Sequence, residues 1–455
     1  MTQTIQKKLN DSAWARWSAL LIVSFTMMCV YFITDVAAPL EDLLTKSVAD
    51  GGLGLWSSSE YGVFSGAYGY INVFLLMLFF GGIILDKMGV RFTGLMACIC
   101  MLCGTLIKWF ALNQTGLGEI TLFGTTYHTS AIVAALGFAI FGMGAEIAGI
   151  TVTKVIAKWF AGKEMALAMG LQVAMARIGT AAALACSLPL AKHFNDVSAP
   201  VLLGVGLLGI GLISYIIYCM MDKRLETSCS DETKSNHDNE DEFRISDIKY
   251  IFSNKGFWLI AILCVLFYSG VFPFLKFATK FMICKYGVDE NLAGLIPAML
   301  PFGTMLLTPL FGWVYDRIGK GATLMIIGSI MLTVVHLLFA LPILNVWWFA
   351  VIVMIILGIA FSLVPSAMWP SVPKIIPMKQ LGTAYAIIFY IQNIGLSLVP
   401  VLIGSILPEN ANADSYRLPM IIFAIFGVVS ICVATLLKVT DKKHNYGLEL
   451  PNEKE

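Results

Sequence analysis

A short motif occurs twice in this chain, each time where a long apolar run ends. Gly82-Ile83-Ile84-Leu85-Asp86-Lys87-Met88-Gly89-Val90-Arg91 closes one run, and Gly312-Trp313-Val314-Tyr315-Asp316-Arg317-Ile318-Gly319-Lys320 closes another. An acid-base pair framed by glycines, set where hydrocarbon gives way to water, suits a tight turn held at a membrane surface. A second echo has the same length in both copies: Lys163 to Gly179 ends Met175-Ala176-Arg177-Ile178-Gly179, and Lys379 to Gly395 ends Ile391-Gln392-Asn393-Ile394-Gly395. Self-similarity over half a chain predicts two related bundles of about six helices each.

With 58% hydrophobic and 13% charged residues, the chain carries more apolar surface than a water-soluble core can hide. Stretches of about 20 apolar residues fall near 17–40, 61–85, 92–112, 131–158, 164–190, 200–221, 256–281, 291–315, 322–341, 346–373, 380–407 and 417–438. The expected fold is an all-α membrane protein of twelve transmembrane helices in two pseudo-symmetric six-helix bundles. Residues 1–221 form the first, 256–455 the second with a cytoplasmic tail, and 222–255 a cytoplasmic linker. Of the 30 Lys and Arg residues, 22 fall in the tails and even-numbered loops when span ends are counted with the loops. The positive-inside rule then puts both termini in the cytoplasm. The linker is acidic and polar, and a solvated tether is favoured there over an amphipathic surface helix at Phe243-Arg244-Ile245-Ser246-Asp247-Ile248. Met1–Arg16 is polar and the first apolar run is long enough to span, so the first span is expected to serve as the insertion signal.

Enzyme chemistry finds no foothold. The ten cysteines sit almost entirely inside spans and read as small core residues, without disulfide or zinc spacing. Neither Gly162-Lys163-Glu164 nor Gly319-Lys320-Gly321 completes a Walker sequence, and the five histidines are scattered. No cofactor or metal is expected, and a net charge of +1 without a basic block gives no reason for a nucleic-acid partner.

What remains are charges at membrane depth, which cost about 2.5–3.5 kcal/mol each at a helix centre and so face a cavity or a partner. Glu146 falls near the middle of the fourth span, behind Gly142 and Gly144, which let another helix approach. Arg177 lies 13 residues past Glu164 at the start of the fifth, about 20 Å into the bilayer. Its guanidinium fork fits a carboxylate or phosphate in two parallel bonds. An Arg177–Glu146 bridge made for packing alone is the competing reading. Asp35 and Lys276, deep in the first and seventh spans, read as a gate pair, with Lys280 competing for the same role. In the repeated motif Asp86, Lys87, Arg91, Asp316 and Arg317 read as gating residues. Asp86 and Asp316 are expected to meet a helix N-terminus or bases such as Arg91, Lys158 or Lys320. Tyr31, Tyr70, Tyr268, Phe272, Phe274, Trp369, Tyr390, Gln392 and Asn393 are expected along the solute path. Of 16 prolines, 12 lie between Pro273 and Pro419, which concentrates breaks in the helical ladder in the second half.

The paired Gly-x-x-x-Asp-Lys/Arg-x-Gly loops resemble the signature of the major facilitator superfamily. A closer likeness runs over most of the chain. Gly144-Ala145-Glu146, Trp159-Phe160-Ala161-Gly162-Lys163-Glu164, Gly170 to Gly179, Val271-Phe272-Pro273-Phe274, Trp369-Pro370, Gln380 to Tyr385, Ile391 to Gly395 and Tyr31-Phe32-Ile33-Thr34-Asp35 look like the lysosomal dipeptide transporter branch. That resemblance implies that Glu146 and Arg177 hold the two charged ends of a dipeptide, with Trp369 nearby. The branch carries a lysine where this chain has Thr279, flanked by Lys276 and Lys280.

The expected activity is secondary transport of a small zwitterionic solute, a dipeptide or short peptide, by alternating access, as a uniport or with protons. A monomer in a bacterial cytoplasmic (inner) membrane is expected, since the N-terminal tail has no acidic dileucine signal. The competing readings are an organic-anion or sugar-phosphate exchanger, and a membrane receptor or scaffold that transports nothing.

Overall fold

The computed structural model describes residues 12–48, 51–114, 116–122, 124–160, 165–228, 245–342, 344–377 and 380–451. The side chain of Asp86, residues Lys163, Glu164 and Lys379 of the second echo, and linker residues 229–244 lie outside the described set. Among the described residues, eleven helices are long and apolar enough to cross a membrane, and a bent pair makes the twelfth. In hydrocarbon every backbone polar group must be satisfied within its own segment, which leaves apolar runs of this length only the helix.

The first half begins with α1 (Ala13–Asp35), prolonged by a 3-10 turn into α2 (Glu41–Thr45). The second span is broken. It runs through α3 (Ser58–Gly66) and α4 (Tyr70–Phe74), then bends by 59° into the start of α5 (Met77–Asn113). Ser57 opens α3 with a reciprocal cap: its Oγ accepts from the Glu60 amide, and the Glu60 carboxylate accepts from the Ser57 amide at 2.6 Å. The loop motif does not end α5 outright. Gly89 turns the chain inside it with φ 75°, a left-handed value that glycine adopts without steric cost, and the third span continues from there. A hairpin absent from the sequence reading, β1 (Glu119–Leu122) paired antiparallel with β2 (Thr125–His128), leads into the fourth span, α6 (Thr129–Trp159). The half ends with α7 (Met165–Phe194) and α8 (Ala199–Ser228).

The described end of the linker is helical, where the sequence favours a tether. It forms α9 (Ile245–Ser253), and Asn254 then caps α10 (Lys255–Tyr286) by accepting from the Phe257 amide at 3.2 Å. The second half follows as α11 (Glu290–Ala293), α12 (Leu295–Ile318), α13 (Gly321–Ala340), α14 (Trp347–Ile375), α15 (Leu381–Ile406) and α16 (Arg417–His444). Prolines inside α10, α12, α14 and α15 interrupt the hydrogen-bond ladder, and a hydroxyl serves one of the freed carbonyls: Tyr385 donates to the Trp369 carbonyl, which Pro373 leaves without its amide, at 3.1 Å.

The two halves meet along α3 with α15, α7 with α12, and α2 with α10. These contacts seal the end of the bundle away from the termini, here called the distal end. Backbone meets backbone there. A Cβ on Gly62 would lie 2.6 Å from the Pro400 carbonyl oxygen, and one on Gly294 would lie 2.0 Å from that of Leu184.

Candidate functional site

A cavity of about 270 Å³ lies between the halves. Its deep end holds Tyr31, Glu146 and Arg177, and it runs past Thr153 and Gln172 toward the terminal end of the bundle. Glu146 is placed by a close helix crossing. A Cβ on Gly142 would lie 2.0 Å from the Tyr68 carbonyl oxygen, so only glycine lets the second span approach here. Asn72 donates to the Gly142 carbonyl at 3.3 Å and fixes the crossing. Tyr68 then reaches one turn along and donates its hydroxyl to Glu146 Oε1 at 3.0 Å. Gly144 faces the third span in the same way, close to Ala97 and Met101. Asn393, from the second half, is buried and donates to the Phe389 carbonyl one turn back on α15 at 3.0 Å.

Arg177 has a different environment. Its guanidinium carbon lies 5.7 Å from the ring centre of Tyr31, 5.8 Å from Phe272 and 5.4 Å from Phe361, within the range of cation–π attraction. Two of the three rings belong to the second half, so the cation is held in an aromatic cage built across the interface. Among the described residues no ion pair joins Arg177 to Glu146: the acid is bound by a phenol, the base by rings.

The other expected path residues form a layer behind this one. Trp369 donates Nε1–H to the Tyr268 hydroxyl at 3.1 Å and stacks on Phe389, which lines the cavity, at 4.9 Å. Gln392 is buried and accepts from the Cys264 thiol, and Tyr390 is half-buried outside the lining. Two placements differ from expectation. Phe274 packs on His336, Phe339 and Phe423 inside the second half, away from the path. Tyr70 donates to the Val63 carbonyl on its own span, while Tyr68, two residues earlier and so on another face, meets the acid.

At the distal end Lys276 crosses between the halves to pair with Asp35 at 2.7 Å and to donate to the Thr34 carbonyl at 2.7 Å. Tyr61 donates to the carbonyl of Lys276 at 2.9 Å, tying the second span to the same point. Lys280, nearly fully buried, donates to Thr45 Oγ1 at 2.6 Å and lies 3.7 Å from Glu41. Asp35–Lys276 and Glu41–Lys280 are thus two charged layers, not rivals for one position. Lys192 and Glu290 add a third contact between halves nearer the surface.

At the terminal end two of the bases expected around the repeated motif, Arg91 and Lys158, also reach Asp222, which hydropathy assigns to the linker. Asp222 is fully buried in the last turns of α8. It accepts from Lys158 at 2.8 Å, Tyr218 at 3.2 Å and Trp159 at 3.4 Å, with Arg91 at 3.8 Å. Lys87 is exposed. In the second copy Asp316 is half-buried, and Arg317 lies over the Trp313 ring at 4.5 Å. There the C-terminal segment covers the loop: the amides of Lys320 and Gly321 donate to the Glu449 and Leu448 carbonyls at 3.0 and 2.9 Å.

Comparison with known proteins places this architecture. The model of the Major Facilitator Superfamily matches residues 20–283 and 276–453. The lysosomal dipeptide transporter MFSD1 of Bos taurus is 26% identical over 403 residues, covering 86% of this chain and 79% of its own. The protein of the same name from Danio rerio is 27% identical over 430 residues, covering 92% and 85%. Among solved structures, a bacterial homolog of the human lysosomal transporter Spinster, in an inward-facing and unoccupied conformation, superposes with a TM-score of 0.73 at 14% identity over 95% of this chain and 98% of its own. A peptide transporter, POT, superposes with a TM-score of 0.69 at 12% identity over 94% and 95%. The two six-helix halves, the repeated loop motif and a family match over nearly the whole length agree: the chain belongs to the Major Facilitator Superfamily of multi-pass membrane transporters.

Proposed function

We propose that this transporter carries a small zwitterionic solute, a dipeptide or short peptide, with Glu146 meeting its ammonium and Arg177 its carboxylate. One observation carries the reading: an acid and a base line the same cavity and are oriented by other groups rather than by each other. Opposite charges left apart in one cavity gain most by closing on a ligand that bears both complementary charges. The dipeptide transporter names of the relatives support the same solute class. A sugar phosphate or organic anion would employ Arg177 and leave Glu146 unmatched.

On this reading the protein works as a monomer in lipid. The excess of basic residues in the tails and even-numbered loops supports cytoplasmic termini in a bacterial inner membrane. The cavity then faces the cytoplasm, and Asp35–Lys276 and Glu41–Lys280 are the outer gate. Transport requires that this gate part while the terminal end closes. The test is a thermal-shift series of the purified protein with dipeptides, single amino acids and dicarboxylates, since a ligand that binds only the folded state raises the apparent melting temperature by mass action. Stabilisation by dipeptides and not by dicarboxylates is expected. The reverse order would overturn the assignment. Uptake into proteoliposomes with and without an imposed pH gradient separates uniport from proton coupling.

A further inference from the structure

Lys108, on the third span, is the one charged residue among the described spans that is both fully buried and without a carboxylate within ion-pair distance. Its ammonium donates to the Ile33 carbonyl at 3.2 Å and lies over the rings of Phe138 at 4.5 Å and Phe64 at 5.3 Å. One hydrogen bond and two ring faces are poor compensation for taking an ammonium out of water, and a leucine or methionine would pack this position without that cost. The nearest charges lie two residues further along α1. There Asp35 is paired with Lys276, whose ammonium faces the same Phe138 ring at 5.9 Å. Two lysines therefore face one phenylalanine, and one of them holds Asp35.

We propose that Lys108 is a reserve partner for Asp35, a positioning residue that takes over the carboxylate when the halves part at the distal end. Asp35 and Lys108 sit in the first half, and Lys276 sits in the second. Asp35 is 4% exposed while this end is sealed, and opening it withdraws Lys276 and leaves the carboxylate without its cation. Stranding a buried charge is far more costly than exchanging its partner. The flexible four-carbon stem of Lys108 gives its ammonium the freedom to move from the Ile33 carbonyl toward the Asp35 carboxylate. The exchange keeps the acid paired in both states and lowers the cost of opening. This rests on alternating access and not on the identity of the solute.

The experiment reads distal opening directly. Ser58 is 1% exposed and donates to the Pro408 carbonyl of the other half at 3.2 Å, so a Ser58→Cys side chain reacts with a maleimide only when that contact parts. The labelling rate, read by peptide mass spectrometry on the full chain in lipid, follows the open population. Lys108→Met should slow it by about tenfold or more, Lys108→Arg should restore it, and adding Asp35→Asn to Lys108→Met should abolish the slowing because no anion is left to strand. A Lys108→Met protein that labels at the native rate, or one that Asp35→Asn fails to rescue, overturns the proposal. Lys276→Met decides the matter if Lys108→Met does not fold. With a reserve partner it should fold and label fast, whereas a protein that folds only after Asp35→Asn is added shows that Asp35 has no second cation. If Ser58→Cys never labels in the native background while solute crosses the membrane, the opening of this end falls, and the proposal with it.

Discussion

Lys158 and Asp222 form an ion pair at 2.8 Å between the fourth and sixth spans, and only one of them can see water. The Lys158 side chain is 32% exposed and that of Asp222 is fully buried. Removing the two partners should therefore have unequal effects. After Asp222→Asn the lysine, already 32% exposed, keeps its access to water, and the amide keeps polar contact with Trp159 and Tyr218. After Lys158→Met the carboxylate stays buried, with Arg91 at 3.8 Å as its remaining cation. Lys158→Met is expected to lower stability by about 2–4 kcal/mol, and Asp222→Asn by about half that. Thermal unfolding of the two purified variants checks the order.

The glycines at the distal contact should act on conformation more than on folding. A Cβ on Gly404 would lie 2.5 Å from the Ser58 carbonyl oxygen and 2.7 Å from the Gly62 Cα, both on the opposite half. Gly404→Ala leaves each half intact and wedges them apart. Faster maleimide labelling at Ser58→Cys and an almost unchanged melting temperature are expected. A large loss of stability with no change in labelling would show that the glycine serves folding alone.

That Glu146 and Arg177 line a cavity was legible in the sequence, because an ionised group inside about twenty apolar residues faces a cavity or a partner. Their supports were not. Tyr68 is one aromatic among many, and only the helix crossing at Gly142 singles it out from Tyr70. Phe361, part of the cage around Arg177, sits in an unbroken apolar run that gives no hint of which face it presents. Asp222 was read as the first linker residue because hydropathy falls there, yet α8 continues to Ser228 and carries it into the bundle. Glu41 was lost in the same way beyond the first span, and its partner Lys280 was read as a rival to Lys276. Hydropathy locates the edge of an apolar run, whereas the helix ends where its packing and caps end.

The C-terminal segment should hold the second loop motif in place. Leu448 is fully buried, Glu449 accepts from the Thr323 amide at 2.9 Å and its hydroxyl at 2.8 Å, and Lys374 donates to the Leu450 carbonyl at 2.8 Å. Leu448→Ala is expected to cost about 2–4 kcal/mol by opening a cavity under this strap. Hydrogen exchange at the amides of Lys320 and Gly321, which the segment covers, should accelerate in the variant. Unchanged exchange there would mean that the strap rests on the loop without holding it.

Arg177 should be far less tolerant of lysine than its charge suggests. The guanidinium is planar and lies against three rings, so it can stack and still offer two parallel donors to a carboxylate, whereas an ammonium has neither property. Arg177→Lys is expected to weaken dipeptide binding by about 1.5–3 kcal/mol while leaving the fold intact, because no ion pair to another residue is lost. End-blocked ligands assign the charges. An N-acetylated dipeptide removes the ammonium, so Glu146→Gln should cost it little further affinity, and a C-amidated dipeptide should be similarly indifferent to Arg177→Ala. Affinities of free and blocked dipeptides for the native and variant proteins close a double-mutant cycle for each end. Coupling for the matched pairs, Glu146 with the amino end and Arg177 with the carboxyl end, and additivity for the crossed pairs, is the pattern that a ligand bridging the two residues must give. Additivity for all four would mean that neither residue touches an end of the solute.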